Sequence, residues 1–143
     1  MIIRPFEKGD EKQVLTIWLE ASIIAHDFIP AEYWKEKVND MRDIYLPSSK
    51  TYVYSQAEEV KGFLSLVDNY IAALFVSPKE QGKGIGKELM KFAKNLFPVL
   101  ELGVYSKNEN SVAFYKKQDF QVINEKVDEP TGHRELVMRY TVL

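Results

Sequence analysis

The 143 residues, 45% apolar and 28% charged, suit one globular domain (residues 1–143) with a single core. There is no cysteine, which excludes a disulfide framework, a thiolate nucleophile and a cysteine-held metal; with only His26 and His133, a multi-histidine metal site is excluded too, so no metal is expected. The net charge of −2 argues against a nucleic-acid surface, and the Met-Ile-Ile-Arg start, with no basic-then-apolar leader and no membrane-length apolar run, predicts a soluble cytoplasmic protein with no membrane contact.

In chain order, residues 2–6 read as a first strand closed by the Gly9-Asp10 turn. A helix from Glu11 to about Ala25 follows, with Val14, Leu15, Trp18, Ala21 and Ser22 on one face and Asp10 as its cap. His26-Asp27-Phe28-Ile29-Pro30 is an aromatic and polar loop. Tyr33, Trp34, Val38, Met41, Ile44 and Tyr45 then have helical spacing, so a second helix runs from about Ala31 until Pro47 forbids it. Residues 51–55 and 60–67 are strands around a turn at 57–59, and Asp68-Asn69 is a tight-turn signal. Residues 70–76, nearly all apolar, read as a central strand covered on both faces.

Beyond that strand lies a loop with Gly82, Gly84 and Gly86, and then a strong helical pattern: Ile85, Leu89, Phe92, Ala93 and Leu96 share one face, with Lys87, Lys91 and Lys94 off it. Residues 99–105 form another strand, and 108–117 a short helix with Val112, Ala113 and Phe114 at least partly buried. Residues 120–127 and 135–142 alternate as a closing hairpin. The order β, α, α, three-strand meander, α, β, α, β, β is that of an α/β sandwich with a mixed sheet.

A strand, a glycine loop and a helix N-terminus in that order form a site for phosphate. The first helical N–H groups lack intrahelical partners, the helix dipole is positive there, and glycine lets backbone approach an anion. Two familiar phosphate motifs do not fit, because Lys87 stands where a P-loop counted from Gly82, or a dinucleotide fingerprint, requires glycine. What remains is Gln81-x-x-Gly84-x-Gly86 behind Val76, which resembles the pyrophosphate loop of the GNAT superfamily of N-acetyltransferases. A second segment, from Asn108 through Phe114 and Tyr115 to Phe120, resembles the N-x-x-A-x-x-F-Y-x-x-x-G-F stretch of the same family; Ser111 replaces the usual alanine and Asp119 the usual glycine. Asp tolerates left-handed backbone better than most residues, so the helix can still end there.

The resemblance implies a GNAT-type α/β sandwich with a central mixed, mostly antiparallel sheet flanked by helices. It implies direct transfer of an acetyl group from acetyl-CoA to a primary amine, which is a protein lysine, a protein N-terminus or a small amine. It places acetyl-CoA on Phe75, Val76, Gln81, Gly82, Lys83, Gly84, Ile85, Gly86, Lys87, Asn108, Ser111 and Phe114, and makes Tyr115 the acid that protonates the leaving thiolate. The acceptor pocket falls to His26, Asp27, Phe28 and Tyr70, each of which also has a packing explanation. His26, Glu101 and Glu32 stand as candidate bases with no choice among them, and the end of the 70–76 strand supplies the N–H for the oxyanion. A monomer or homodimer is expected. The alternative is a non-catalytic acyl-CoA-binding module, which would keep the glycine loop but could dispense with Tyr115.

Overall fold

A computed structural model describes residues 2–142. Seven strands form one sheet: β1 (Ile2–Pro5), β2 (Lys50–Gln56), β3 (Glu59–Val67), β4 (Tyr70–Val76), β5 (Val99–Tyr105), β6 (Gln121–Asp128) and β7 (His133–Thr141). Their order across the sheet is β1-β2-β3-β4-β5-β7-β6, with every neighbouring pair antiparallel except β4 and β5. Four α-helices cover the two faces: α1 (Glu11–Ala25), α2 (Ala31–Asp40), α3 (Ile85–Leu96) and α4 (Glu109–Lys117). No helix among the described residues is long and apolar enough to cross a membrane.

Each face has its own core, because each sheet face needs an apolar cover. On one side Val14, Ile17, Trp18, Trp34 and Met41 pack on Val53, Phe63 and Ala73. On the other Ile85, Leu89, Met90 and Ala93 pack on Leu64, Leu66, Leu100, Leu102 and Met138.

The predicted elements all form, with local corrections. Asp10 does not cap α1. Its buried carboxylate accepts from Arg4 Nη1 and Nη2 (2.8 and 3.0 Å) and from the Glu7 N–H (2.8 Å), so it ties β1 to the turn before the helix. The face of α1 takes in Ile17, and Leu15 is only half-buried. In the second helix the α-helical ladder stops at Asp40 and a π turn, Met41–Tyr45, carries the chain on; Leu46 N–H bonds back to Met41 O. That wider turn slips the helical phase and swings Ile44 and Tyr45 out to solvent. In α3 the buried face centres nearer Met90, so Leu96 at the last turn is exposed. Lys94 is half-buried, its Nζ 4.5 Å from the centre of the Tyr140 ring. In α4, Val112 and Phe114 are half-buried but Ala113 is exposed. Asp119 does adopt the left-handed conformation, φ 71°, at the end of that helix.

The correction with most consequence concerns β4. It is not covered on both faces: Tyr70 and Ala72 are exposed, and Leu74, Phe75 and Val76 are only half-buried.

Candidate active site

β4 and β5 start side by side and then part. They pair only at Tyr70–Glu101 and Ile71–Leu102, whereas β4 stays paired to β3 up to Val76. The parting coincides with a β-bulge. Ser65 opposes Ala73 and Leu66 opposes Ile71, which leaves Ala72 as the extra residue on β4. A bulge bends its strand, and this one, in the antiparallel β3–β4 pair, falls where β4 leaves β5. Beyond Ile71, the main-chain groups of β4 that point away from β3 therefore face a gap instead of a partner strand.

That gap is a cavity of about 660 Å³. Residues 71–76 and 102–105 form its floor. Trp18, Ala21, His26, Asp27 and Trp34 line one wall, and Gly86, Asn108, Ser111, Phe114 and Tyr115 the other. The partial exposure of β4 is this cavity.

At one end α3 begins without a side-chain cap. Gly84 sits at its N-cap position in the left-handed conformation (φ 87°), and the first intrahelical bond is Glu88 N–H to Gly84 O. The N–H groups of Ile85, Gly86 and Lys87 thus precede the ladder, as an anion site requires. Gln81 Nε2 donates to Val76 O (3.2 Å) and tethers the loop to the end of β4.

Tyr115 also lines the cavity, in edge contact with Phe114 and tilted against Phe120. Burial pushes its hydroxyl up to about 12, with a smaller contribution from Tyr70. The Tyr115 hydroxyl is therefore protonated throughout the physiological range. β7 brings Glu135 into the same lining. A Cβ built on Gly103 would lie 3.1 Å from Glu135 Oε1 and 3.1 Å from the Tyr70 hydroxyl, so the bare glycine in β5 makes room for both groups. The Tyr70 hydroxyl is raised by burial first and by the Glu135 charge second. Lys126 Nζ sits 3.3 Å from Glu135 Oε1 on the solvent side.

His26 is buried between the walls, stacked on Trp34 (ring centres 4.9 Å apart) and edge-on to Tyr105. Burial lowers its pKa, against a smaller upward pull from the Ser22 main chain, so the ring is neutral.

Of the residues predicted to hold acetyl-CoA, Phe75, Val76, Gln81, Gly86, Asn108, Ser111 and Phe114 meet at this cavity together with Tyr115. Gly82, Lys83, Gly84 and Lys87 are exposed on the loop and first turn at its end; Lys83 bonds Glu80 (3.0 Å). The Ile85 side chain is in the core, so only its N–H can face a ligand. Of the acceptor candidates, His26 and Asp27 line the cavity. Phe28 packs behind it on His26, Tyr105 and His133, and Tyr70 reaches it through its hydroxyl beside Gly103. Two candidate bases stand away from the cavity lining: Glu101 accepts from Arg139 on the surface (2.9 Å), and Glu32 is exposed beside Lys35. Glu135 was not read from the sequence. The one available signal was Gly103, an isolated glycine inside a strand, which marks close approach by another group. Among the described residues no cluster of three or more acidic or histidine side chains could hold a metal.

Residues 12–142 match the family described as the acetyltransferase (GNAT) domain. The peptidyl-lysine N-acetyltransferase YiaC of Escherichia coli is 35% identical over 124 residues, covering 86% of this chain and 85% of that protein. The peptidyl-lysine N-acetyltransferase YjaB of the same organism is 33% identical over 117 residues, 81% and 78% of the two chains. The solution structure of apo-form YjaB superposes over the whole of both chains with a TM-score of 0.87 and 30% identity. An N-acetyltransferase from Thermoplasma acidophilum, solved in complex with coenzyme A, shares the fold at a TM-score of 0.78 and 18% identity.

Proposed function

We propose, since the chain belongs to the GNAT family of acetyltransferases, that it moves the acetyl group of acetyl-CoA to the side-chain amine of lysine in a peptide or protein. Acetyl transfer goes with the family. Lysine as acceptor is supported by two relatives above 30% identity that are both peptidyl-lysine N-acetyltransferases. The observation that carries the site is the gap where β4 leaves β5, with both Tyr115 and Glu135 in its lining.

The donor fits the chain's own features. The uncapped start of α3 and the left-handed Gly84 suit a pyrophosphate, and the free main-chain edge of β4 suits an extended amide-bearing arm. The donor brings a thioester carbonyl to be attacked and a thiolate to leave.

A lysine amine with a pKa of about 10.4 is free base in only about one molecule in a few thousand at pH 7, so its proton needs an acceptor. Glu135, half-buried beside Tyr70 at the cavity edge, takes that proton directly or through water. As the N–C bond forms and the C–S bond breaks, Tyr115 gives its hydroxyl proton to sulfur and is then re-protonated from solvent. The nitrogen then releases its second proton to solvent, so the ammonium loses two protons in all while sulfur gains one, leaving an amide, a thiol and one proton in solvent. The main-chain N–H groups of β4 that face the gap are placed to stabilise the oxyanion.

Thiol release from acetyl-CoA tests the acceptor class. A lysine peptide with a blocked N-terminus is expected to outpace both a lysine-free peptide with a free N-terminus and a polyamine; faster release with either of those moves the acceptor elsewhere. The donor site is tested separately by Gly86→Val. A Cβ on Gly86 meets Phe114 and Val76 only at van der Waals distance (3.6 and 3.7 Å), so the chain tolerates it while the added methyls narrow the cleft. The Kd for CoA by calorimetry should rise about 10-fold or more, which is about 1.4 kcal/mol, with an unchanged Tm. Equal affinities would put the pyrophosphate elsewhere.

A further inference from the structure

We propose that His26 is a positioning residue for Tyr115: its neutral ring accepts a hydrogen bond from the Asn108 side chain, locks the cap of α4, and so ties the acceptor wall to the helix that carries the proton donor. The proposal rests on the reading of Tyr115 as that donor.

The geometry leaves the Asn108 amide little freedom. Asn108 is buried at the N-cap of α4, and its Oδ1 accepts from the Ser111 N–H (3.3 Å). A backbone N–H can only donate, so this end of the amide must be oxygen. The other end, Nδ2, then points its hydrogen at His26 Nε2, 3.4 Å away. Nε2 must carry the lone pair and Nδ1 the proton; Nδ1 is buried and makes no hydrogen bond among the described residues.

Protonation would set an N–H against an N–H. Asn108 would have to turn, and turning would take its oxygen from Ser111 and uncap α4. Tyr115 is seven residues beyond Asn108, two helical turns along the same face, so a shift of the cap reaches it through a rigid helix.

The other groups packed around the ring do not favour the charged form. Trp34 and Phe28 are apolar faces. The Tyr105 hydroxyl, held up by burial, donates to Asp128 (2.9 Å). Lys107 lies over Phe28, and His133 packs on the far side of that ring. Asp27, next in sequence, is exposed, as is Glu109 on the cavity wall.

Since the His26 pKa is lowered in the folded state, the latch is intact at pH 7 and opens as pH falls below about 6.5 toward the folded value. Turnover at saturating substrates should therefore show an acid limb that follows the His26 titration.

Histidine ¹H–¹⁵N NMR tests this on the intact protein, with His133→Gln to assign the only other histidine. Wild type should show the proton on Nδ1 and a midpoint below about 6.5. Asn108→Asp keeps an oxygen for Ser111 but sets a carboxylate against Nε2. It should raise the His26 midpoint by about 1–3 pH units, and the acid limb of kcat should move with it. His26→Phe keeps the ring on Trp34 without the acceptor, and should lower kcat about 10-fold and abolish the limb.

A proton on Nε2, an unmoved midpoint in Asn108→Asp, or a limb that ignores the midpoint would each overturn the latch. Should Tyr115→Phe turn over like the parent, the donor reading fails by itself. The latch is then judged on NMR alone: the Tyr115 ring resonances must shift through the His26 titration, and if they do not, it is overturned.

Discussion

Tyr115→Phe should turn over about 10²–10⁴-fold more slowly than the parent at saturating acetyl-CoA, the usual contribution of a positioned acid or base. The substitution removes only a hydroxyl and leaves the ring against Phe114 and Phe120, so Tm and CoA affinity should stay within error. The defect should hold across pH. In the parent, burial pushes the Tyr115 hydroxyl up to about 12, so it stays protonated and causes no alkaline fall in rate below about pH 10. An alkaline fall that disappears in Tyr115→Phe would mean that the phenol ionises much earlier and that its surroundings are more polar than the cavity shows. A variant as fast as the parent would leave Tyr115 as packing.

Glu135→Gln should fail in a different way. The amide keeps the shape of the carboxylate beside Gly103 and Tyr70 but cannot take the amine's proton. At pH 7 kcat/KM for the acceptor should fall about 10²–10⁴-fold. It should then recover steadily as pH rises toward about 10.4, because the free-base fraction of lysine grows tenfold per unit. Stability should barely move, since the lost partner, Lys126, is more than half exposed and such pairs contribute about 0–1 kcal/mol. Loss of activity with no alkaline recovery would make Glu135 a binding residue. Full activity would mean that the amine arrives already neutral. The contrast between the two variants separates the acid from the base without reference to any other protein.

How far the sequence alone reached depends on the range of the interaction. The glycine loop at 82–86 and the short helix that carries Tyr115 are local features, decided by residues a few positions apart, and each was legible. So was the left-handed Asp119. Features that depend on distant partners were not. Nothing around Ala72 announces a bulge, because the bulge exists only against Ser65 and Leu66 of β3. The apolar run of β4 therefore read as a strand covered on both faces, when one flank is the cavity. Glu135 reaches the site only because β7 inserts between β5 and β6, a topology that its alternating pattern does not encode. The phase slip at Met41–Tyr45 has the same character: Ile44 and Tyr45 keep helical spacing in the sequence and lose it in a single π turn.

The central claim, transfer of acetyl to a lysine side chain at the gap between β4 and β5, meets its most direct test in one experiment. The purified protein is incubated with acetyl-CoA and a peptide that carries both a free N-terminus and an internal lysine, and the product is mapped by fragmentation mass spectrometry alongside Tyr115→Phe. A single acetyl group on the lysine Nζ, matched mole for mole by CoA released and nearly absent with Tyr115→Phe, is the predicted result. Acetyl on the N-terminus, or equal acetylation by the variant, would contradict it.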